Sequence, residues 1–547
     1  MKMTRADQGY GVDLRRCAWR AVRPSLSLLF ALVVMLVLGG CSSLPARGPL
    51  PVSQAFAQAD VATTPLARVA TASTPAGAQG LSGFRLLPTG EHAFDARAAL
   101  ADTAERSIDA QYYHLQDDAA GVAFLSSLHQ AAQRGVRVRL LVDDFYAGDA
   151  FDLLLALNAE RGVEVRLFNP LPWRSGAPLT RLLLSWPDFD RAQRRMHNKL
   201  FVVDNVAAVF GGRNIADAYF RWHGAANFVD LDLLAIGPVV PALSATFDAF
   251  WNSELAWRVD RVPRAGLGAA GGAGGRSLFD PLPAQVPRPT SAASLDPLKQ
   301  TPVRDQLRTG VLPLHWGSAT VNADPPTKIT DPVALNRPTR AMSAKLAVIA
   351  QAREEVIIVN PYFVPDPQGM RMMADAIGKN VRGTVITNSL ESTDEPLVHR
   401  AYSRYRKEIL RMGMQLYEMK SLQPARGGDF GDFGASIGRL HIKGAAVDRR
   451  WLLVGSVNLD GRSAVLNTEL AVNIDCPPLA AEALLLLGPE PWRAMYRVTL
   501  ADDGQTLQWH RVDADGRVEV LVEEPGDVGW WRAWHRLQSL FVDEFML

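Results

Sequence analysis

The sequence predicts an α/β protein: two α/β/α sandwich domains in a pseudo-two-fold arrangement around one shared active site. Three observations predict it. A polar pattern occurs twice, as His197, Lys199, Asp204 and Asn214 and, about 240 residues on, as His441, Lys443, Asp448 and Asn458, with the same steps of two, seven and seventeen from the His. Strand and helix signals alternate ahead of each copy in the same order. A stretch rich in Gly, Ala and Pro, Ala265 to Pro302, separates the halves. At this composition one His-x-Lys-x4-Asp match is expected by chance about 0.01 times and two about 0.0001 times, so the repeat marks a duplication.

The chain has 547 residues, 48% apolar and 21% charged, enough to bury two ordinary cores. Its net charge of +1 argues against a nucleic-acid partner, whose footprint is a basic surplus. Arg15, Arg16, Arg20 and Arg23 precede an apolar run from Leu26 to Leu38, followed by Leu-Gly-Gly-Cys at 38–41. The run is too short to span a bilayer and fits a signal h-region. Small residues ahead of Cys41 resemble a bacterial lipobox, which implies a lipoprotein signal peptide over 1–40 and lipidation of Cys41; an uncleaved anchor or a buried helix is the other reading. Ser42 and Ser43, with no Asp, then imply delivery to the outer membrane, facing the periplasm. Cys17 would leave with the signal, and Cys476 alone can form neither an intramolecular disulfide nor a multi-cysteine metal site.

Residues 41–80, rich in Ala, Pro, Thr and Ser, read as a tether that places a domain without orienting it. The first domain, 81–260, is expected to run helix 98–106, strand 107–114, helix 122–134, strand 136–142, helix 149–160 and strand 163–168. Trp173 to Trp186 is an apolar-basic insertion that either lines a lipid entrance or packs as a plain helix. After the first motif come a strand at 230–236 and a Phe- and Trp-rich helix at 245–257. Residues 261–339 read as linker. The second domain, 340–490, repeats the order with helices 341–352, 369–379 and 398–411 and strands 355–359, 381–387 and 414–418. The tail, 491–547, predicts a hairpin over 506–522 and a helix with Trp530, Trp534, Leu537, Phe541 and Phe545 on one face, suited to a membrane interface or to packing.

The duplicated pattern resembles the His-Lys-Asp signature of the phospholipase D superfamily. Gly-Gly-Arg-Asn at 211–214, Phe-Val-Asp-Leu-Asp at 228–232, Phe-Trp-Asn-Ser at 250–253, Thr-Asn-Ser-Leu at 387–390 and Gly-Ser-Val-Asn-Leu-Asp at 455–460 are similar to phrases of bacterial cardiolipin synthases of the C type. Alternation along a strand puts His197 and Lys199 on one face, and His441 and Lys443 likewise. One copy supplies one imidazole and one ammonium; displacement at phosphorus needs a nucleophile, a proton donor and cations, which two facing copies supply.

The resemblance implies a phosphohistidine mechanism with His197 as nucleophile and His441 as acid and base, without cofactor or metal. Lys199, Lys443, Asn214 and Asn458 would bind the non-bridging oxygens, with Ser456 contributing on one side only, since Gly212 stands opposite it. Glu469 matches the family's carboxylate partner for a His; in the first half Asp230 or Asp232 does, the family pattern favouring Asp230. Asp204 and Asp448 read as structural. Asp143 and Asp144 read as solvated loop acids, and His114, His129, His223, His399, His510 and His535 as surface or satisfied core residues. The expected activity is transfer of a phosphatidyl group between phospholipids to give cardiolipin. The same residues would serve a phospholipase D releasing phosphatidic acid, or a nuclease.

Overall fold

The computed structural model describes residues 44, 46–173, 181–182, 185, 188–263, 295–331, 339–421, 437–488, 494–513 and 515–526. The first half carries strands β1 (Ser82–Leu87), β2 (Ser107–Tyr112), β3 (Arg137–Asp143), β4 (Val163–Phe168), β5 (Leu200–Val203), β6 (Ala207–Gly211), β7 (Ala226–Val229), β8 (Asp232–Ile236) and β9 (Ala256–Arg258). The second carries β10 (His315–Ala323), β11 (Glu355–Val359), β12 (Arg382–Asn388), β13 (Gln415–Met419), β14 (Ile437–Leu440), β15 (Gly444–Val447), β16 (Trp451–Gly455), β17 (Leu470–Asp475), β18 (Met495–Leu500), β19 (Leu507–Val512) and β20 (Val518–Leu521).

In the first half β2, β3 and β4 run parallel, while β5, β6, β8 and β1 continue the sheet antiparallel from β2. The second half repeats this with β11, β12 and β13 parallel and β15, β16, β17 and β10 antiparallel. β1 and β10 then pair antiparallel, from Ser82 opposite Gly317 to Phe84 opposite His315, and fuse both halves into one sheet, of 18 strands among the described residues. Strands β1 to β6 and β8 are largely buried because helices cover the sheet. Helices Gly90–Thr103, Ala119–Gln133 and Phe151–Asn158 pack on one side of the first half; Val239–Trp251 and Pro477–Leu485 contribute to a core that crosses the two-fold, joining Phe84, Phe247 and Trp251 to Leu452, Val472 and Leu479. The helix expected at 245–257 starts earlier, at Val239, because Gly237 (φ +90°) and Pro238 turn the chain directly out of β8.

Two expected spacers are built into the body. Within 41–80, helices Gln58–Val61 and Pro65–Ser73 bury Val61, Leu66 and Val69 in the first core. Thr64 caps the second of these by accepting from the Ala67 amide, and Pro65 supplies its first turn. Within 261–339, helix Val303–Thr309 packs beside Gly90–Thr103, and β10 is the central strand of the molecule. Composition misread both because their apolar residues are sparse and contact the rest of the sheet rather than each other. The signal segment with Cys41, most of the insertion 173–186, residues 264–294 and the terminal aromatic helix lie outside the described residues.

Candidate active site

Each motif is a hairpin, β5–β6 and β15–β16, whose turn holds two residues in the left-handed region: Asp204 and Asn205 at φ +53° and +52°, Asp448 and Arg449 at +52° each. Asp tolerates that conformation, and its carboxylate is put to use there. Asp204 accepts from the backbone amides of Glu105, Arg106 and Ser107 at 3.1, 2.7 and 2.9 Å, and Asp448 from those of Arg353, Glu354 and Glu355 at 2.9, 2.8 and 3.0 Å. Each thereby ties its hairpin to the start of the parallel strand alongside.

At the other end of the hairpins the halves are cross-latched. The His197 amide donates to the Thr468 carbonyl (2.9 Å) and the His441 amide to the Val229 carbonyl (2.8 Å), so each His sits one residue ahead of a carboxylate from the opposite half. His197 Nδ1 lies 3.0 Å from both oxygens of Glu469, and His441 Nδ1 lies 2.6 Å from Asp230 Oδ2. Neither half is complete alone. A carboxylate at Nδ1 keeps the proton there and leaves the Nε2 lone pair to face outward. Asp232 is occupied elsewhere, by Arg97 at 2.9 Å and Arg213 at 3.5 Å, so Asp230 is the residue that reaches an imidazole.

Lys199 and Lys443 are buried, each donating to the backbone carbonyl of its own His at 2.8 Å. Among the described residues no carboxylate lies within ion-pair distance of either ammonium. Burial pushes both down, and repulsion from Lys443 adds to the effect on Lys199; Lys443 falls to about 8 although Asp230 opposes the shift. Burial likewise lowers both imidazoles, His197 to about 4 despite Glu469, and His441 further helped down by Lys443. Burial raises Glu469, but His197, Lys199 and Ser456 outweigh it and hold its carboxyl below the ordinary range; Asp230 stays raised by burial. Two neutral imidazoles and two unpaired buried cations form a receptor for an oxyanion.

The Asn214 carboxamide accepts from the His114 amide (3.2 Å) and donates to the Tyr219 hydroxyl (2.9 Å), whereas Asn458 Oδ1 is buried with no partner among the described residues. Ser456 departs from expectation. Its hydroxyl donates to Glu469 and accepts from the Leu470 amide at 3.0 Å, so it positions the carboxylate and is not free for phosphate. Ser463 donates to the other Glu469 oxygen at 2.7 Å. Asp143 and Asp144 are fully buried rather than solvated: Asp143 takes the Arg195 guanidinium and the Met196 amide (2.8 Å), fixing the chain ahead of His197, and Asp144 pairs with Arg181 at 3.3 Å.

Aromatic walls went unread in the sequence. The edge of Tyr113 meets the His197 ring at 5.0 Å; Tyr219 and Phe228 meet His441 at 5.2 and 4.9 Å. Lys199 lies over Tyr113 (5.2 Å) and Lys443 over Tyr362 (5.8 Å). In the register set by the bridges Leu115 to Ile215 and Phe363 to Leu459, Tyr362 is the counterpart of His114 and not of Tyr113, so aligning the halves shows no repeated tyrosine. His114 is also part of the surroundings, lowered to about 4 by burial and by Lys199. His399 instead bonds Glu524 at 2.7 Å, His510 bonds Thr499 at 2.8 Å, His129 lies 3.7 Å from Glu160, and the His223 ring accepts from the Ala225 and Ala226 amides; His535 lies outside the described residues.

The family profile described as "Cardiolipin synthase, PLD-like domain" matches residues 98–251 and again 346–484. Cardiolipin synthase C of Escherichia coli is 34% identical over 488 residues, covering 88% of this chain and 100% of that protein. Cardiolipin synthase A of Cronobacter sakazakii is 26% identical over 411 residues, 73% of this chain and 68% of that one. Among solved structures, phosphatidylserine synthase of Haemophilus influenzae superposes with a TM-score of 0.54 at 13% identity, over 88% of this chain and 100% of that one, a likeness of fold. With the profile matching once in each half and the two matched segments supplying the paired His-Lys sites, the chain belongs to the family of cardiolipin synthases built from phospholipase D-like domains.

Proposed function

We propose that this protein is a phosphatidyltransferase that forms cardiolipin through a phosphohistidine. The observation that carries the reading is the crossed pair of carboxylate-held imidazoles flanked by two buried ammoniums that have no counter-ion among the described residues. His197 Nε2 attacks the phosphorus of a donor phospholipid while His441, which takes up a proton at Nε2 as the anionic phosphate enters beside it, passes that proton to the departing headgroup oxygen and the P–O bond breaks. His441 then takes the proton of a phosphatidylglycerol hydroxyl, the new O–P bond forms, and the N–P bond to His197 breaks. The choice of His197 as nucleophile is supported by Glu469, whose two oxygens both face His197 Nδ1 and are gripped by the Ser456 and Ser463 hydroxyls, a carboxylate fixed to face the positive charge of a phosphoimidazolium. Lys199, Lys443, Asn214 and Asn458 are assigned to the non-bridging oxygens.

The lipobox-like sequence supports attachment to a membrane through lipidated Cys41 on the periplasmic side. Among the described residues no helix is long and apolar enough to cross a membrane.

The full chain mixed with phosphatidylglycerol vesicles, its lipid products read by mass spectrometry, tests the proposal. Cardiolipin and glycerol are expected, falling at least about 100-fold in His441→Ala, the scale of lost general acid-base catalysis. Phosphatidic acid as the sole product would make the protein a phospholipase. Undiminished turnover in His441→Ala would sink the site assignment.

A further inference from the structure

Near His441 lies a cavity of about 270 Å³, lined by Asp118, Asp217, His223, Asn227, Phe228 and Arg439 among others. Both halves build it. Arg439 on β14 stands opposite Phe228 on β7 in a parallel ladder, so the two side chains share a face, and His441 follows Arg439 by two residues. The Phe228 ring lines the cavity and also packs 4.9 Å from the His441 ring, so the cavity opens one aromatic ring away from the imidazole assigned to deprotonate the acceptor.

The polar groups here are of two kinds. Arg439 Nε is buried with no hydrogen-bond partner among the described residues, an unmet donor on a cation. Asp118 accepts from the Gly121 amide at 2.9 Å and the Asp217 amide at 2.7 Å, and Asp217 from the Ala120 amide at 2.7 Å. Those bonds fix the carboxylates and leave lone pairs for further donors. A ligand that satisfies both kinds must carry an anion for the guanidinium and hydroxyls for the carboxylates. A polyol phosphate carries both. The volume admits a headgroup and is too small for acyl chains.

We infer that this cavity is the acceptor subsite, taking the polyol phosphodiester headgroup of the incoming lipid with Arg439 on its phosphate and Asp118 and Asp217 on its hydroxyl side. The inference rests on the phosphatidyltransferase reading above. A headgroup anchored there by its phosphate and inner hydroxyl lets its terminal hydroxyl reach past the Phe228 ring to His441 and displaces the water that would otherwise hydrolyse the phosphohistidine. Occupancy of the subsite thus decides between transfer and hydrolysis.

The test measures the ratio of cardiolipin to phosphatidic acid formed by the full chain on phosphatidylglycerol vesicles, in wild type, Arg439→Gln, Arg439→Lys and Ala218→Leu, the last filling the cavity from a different element. The ratio should fall at least tenfold in Arg439→Gln and in Ala218→Leu and recover in part in Arg439→Lys. Soluble glycerophosphoglycerol, added as a competing acceptor, should yield its own phosphatidyl product if the headgroup alone is recognised; a subsite that needs the lipid will ignore it. Wild-type ratios in both Arg439→Gln and Ala218→Leu would overturn the subsite, as would a loss of both products in equal proportion in Ala218→Leu. A wild-type protein that makes no cardiolipin would instead remove the transferase reading beneath it.

Discussion

Glu469 and Asp230 differ by one methylene, and that difference decides what stands beside them. The shorter Asp230 brings its carboxylate close over the backbone of residue 212, where a Cβ would meet Oδ1 at 2.1 Å, so only Gly fits; the longer Glu469 leaves room for Ser456, whose hydroxyl grips it. The Gly-to-Ser asymmetry between the motifs is therefore a consequence of the carboxylates, legible in the sequence only once the cross-pairing is known. His, Lys and Asn positions were legible because they repeat at fixed spacing. The crossing of carboxylates between halves was not, since no local pattern encodes which half a side chain will face. At the same scale Lys443 governs a pH limb. Its ammonium, lowered by burial to about 8, is charged below that pH and neutral above it. kcat/KM, which reports the free enzyme, should thus fall as pH rises through about 8. kcat should fall only at higher pH, because bound phosphate favours the charged form. A profile of kcat/KM that stays flat from pH 7 to 10 on folded protein would contradict the phosphate-clamp role.

At the scale of elements, the two turn aspartates do one job in different surroundings. Asp204 is fully buried and Asp448 partly exposed, although each ties three backbone amides at the start of a parallel strand. Water can replace the carboxylate at 448 but not at 204. Asp204→Ala should therefore destabilise by about 3 kcal/mol and Asp448→Ala by about 1 kcal/mol, the range for charge-assisted bonds with and without stranded amides. Chemical denaturation of the two variants checks the order; equal losses, or a larger loss at 448, would mean the turns are held by something else. Element positions were read well where apolar alternation is strong, as in β3 and β4. They were read poorly in β10, which is held in place by pairing with both β1 and β17 while its side chains stay mostly half-buried, and whose Gly317 packs against the Asp475 backbone.

Across the whole molecule, residues 46–80 act as a strap rather than a tether. Arg47 reaches the Ala256 carbonyl at 2.9 Å, the Ser53 carbonyl accepts from Arg139 and Asn252 at 2.9 Å each, and Phe56 lies under Arg137 at 4.4 Å. Val61, Leu66 and Val69 then enter the core at 1%, 2% and 9% exposure. Each such side chain is worth ~1.5–3 kcal/mol when buried. Their joint loss is comparable to the lower end of the ~5–15 kcal/mol that holds a native protein together. A chain that begins at residue 81 should consequently melt about 5 °C or more below one that begins at residue 46, with aggregation on heating. Equal melting temperatures would show that the strap is dispensable. The strap also constrains the proposed anchor. From Cys41 to Ala46 the backbone can extend at most ~18 Å, so a lipid on Cys41 would hold the body against the membrane at the Arg47 end instead of letting it swing. Inserting a flexible Gly-Ser segment after Ser43 should then leave the melting temperature unchanged while lowering turnover on vesicles relative to detergent-dispersed lipid, because it frees the orientation that the short connection imposes.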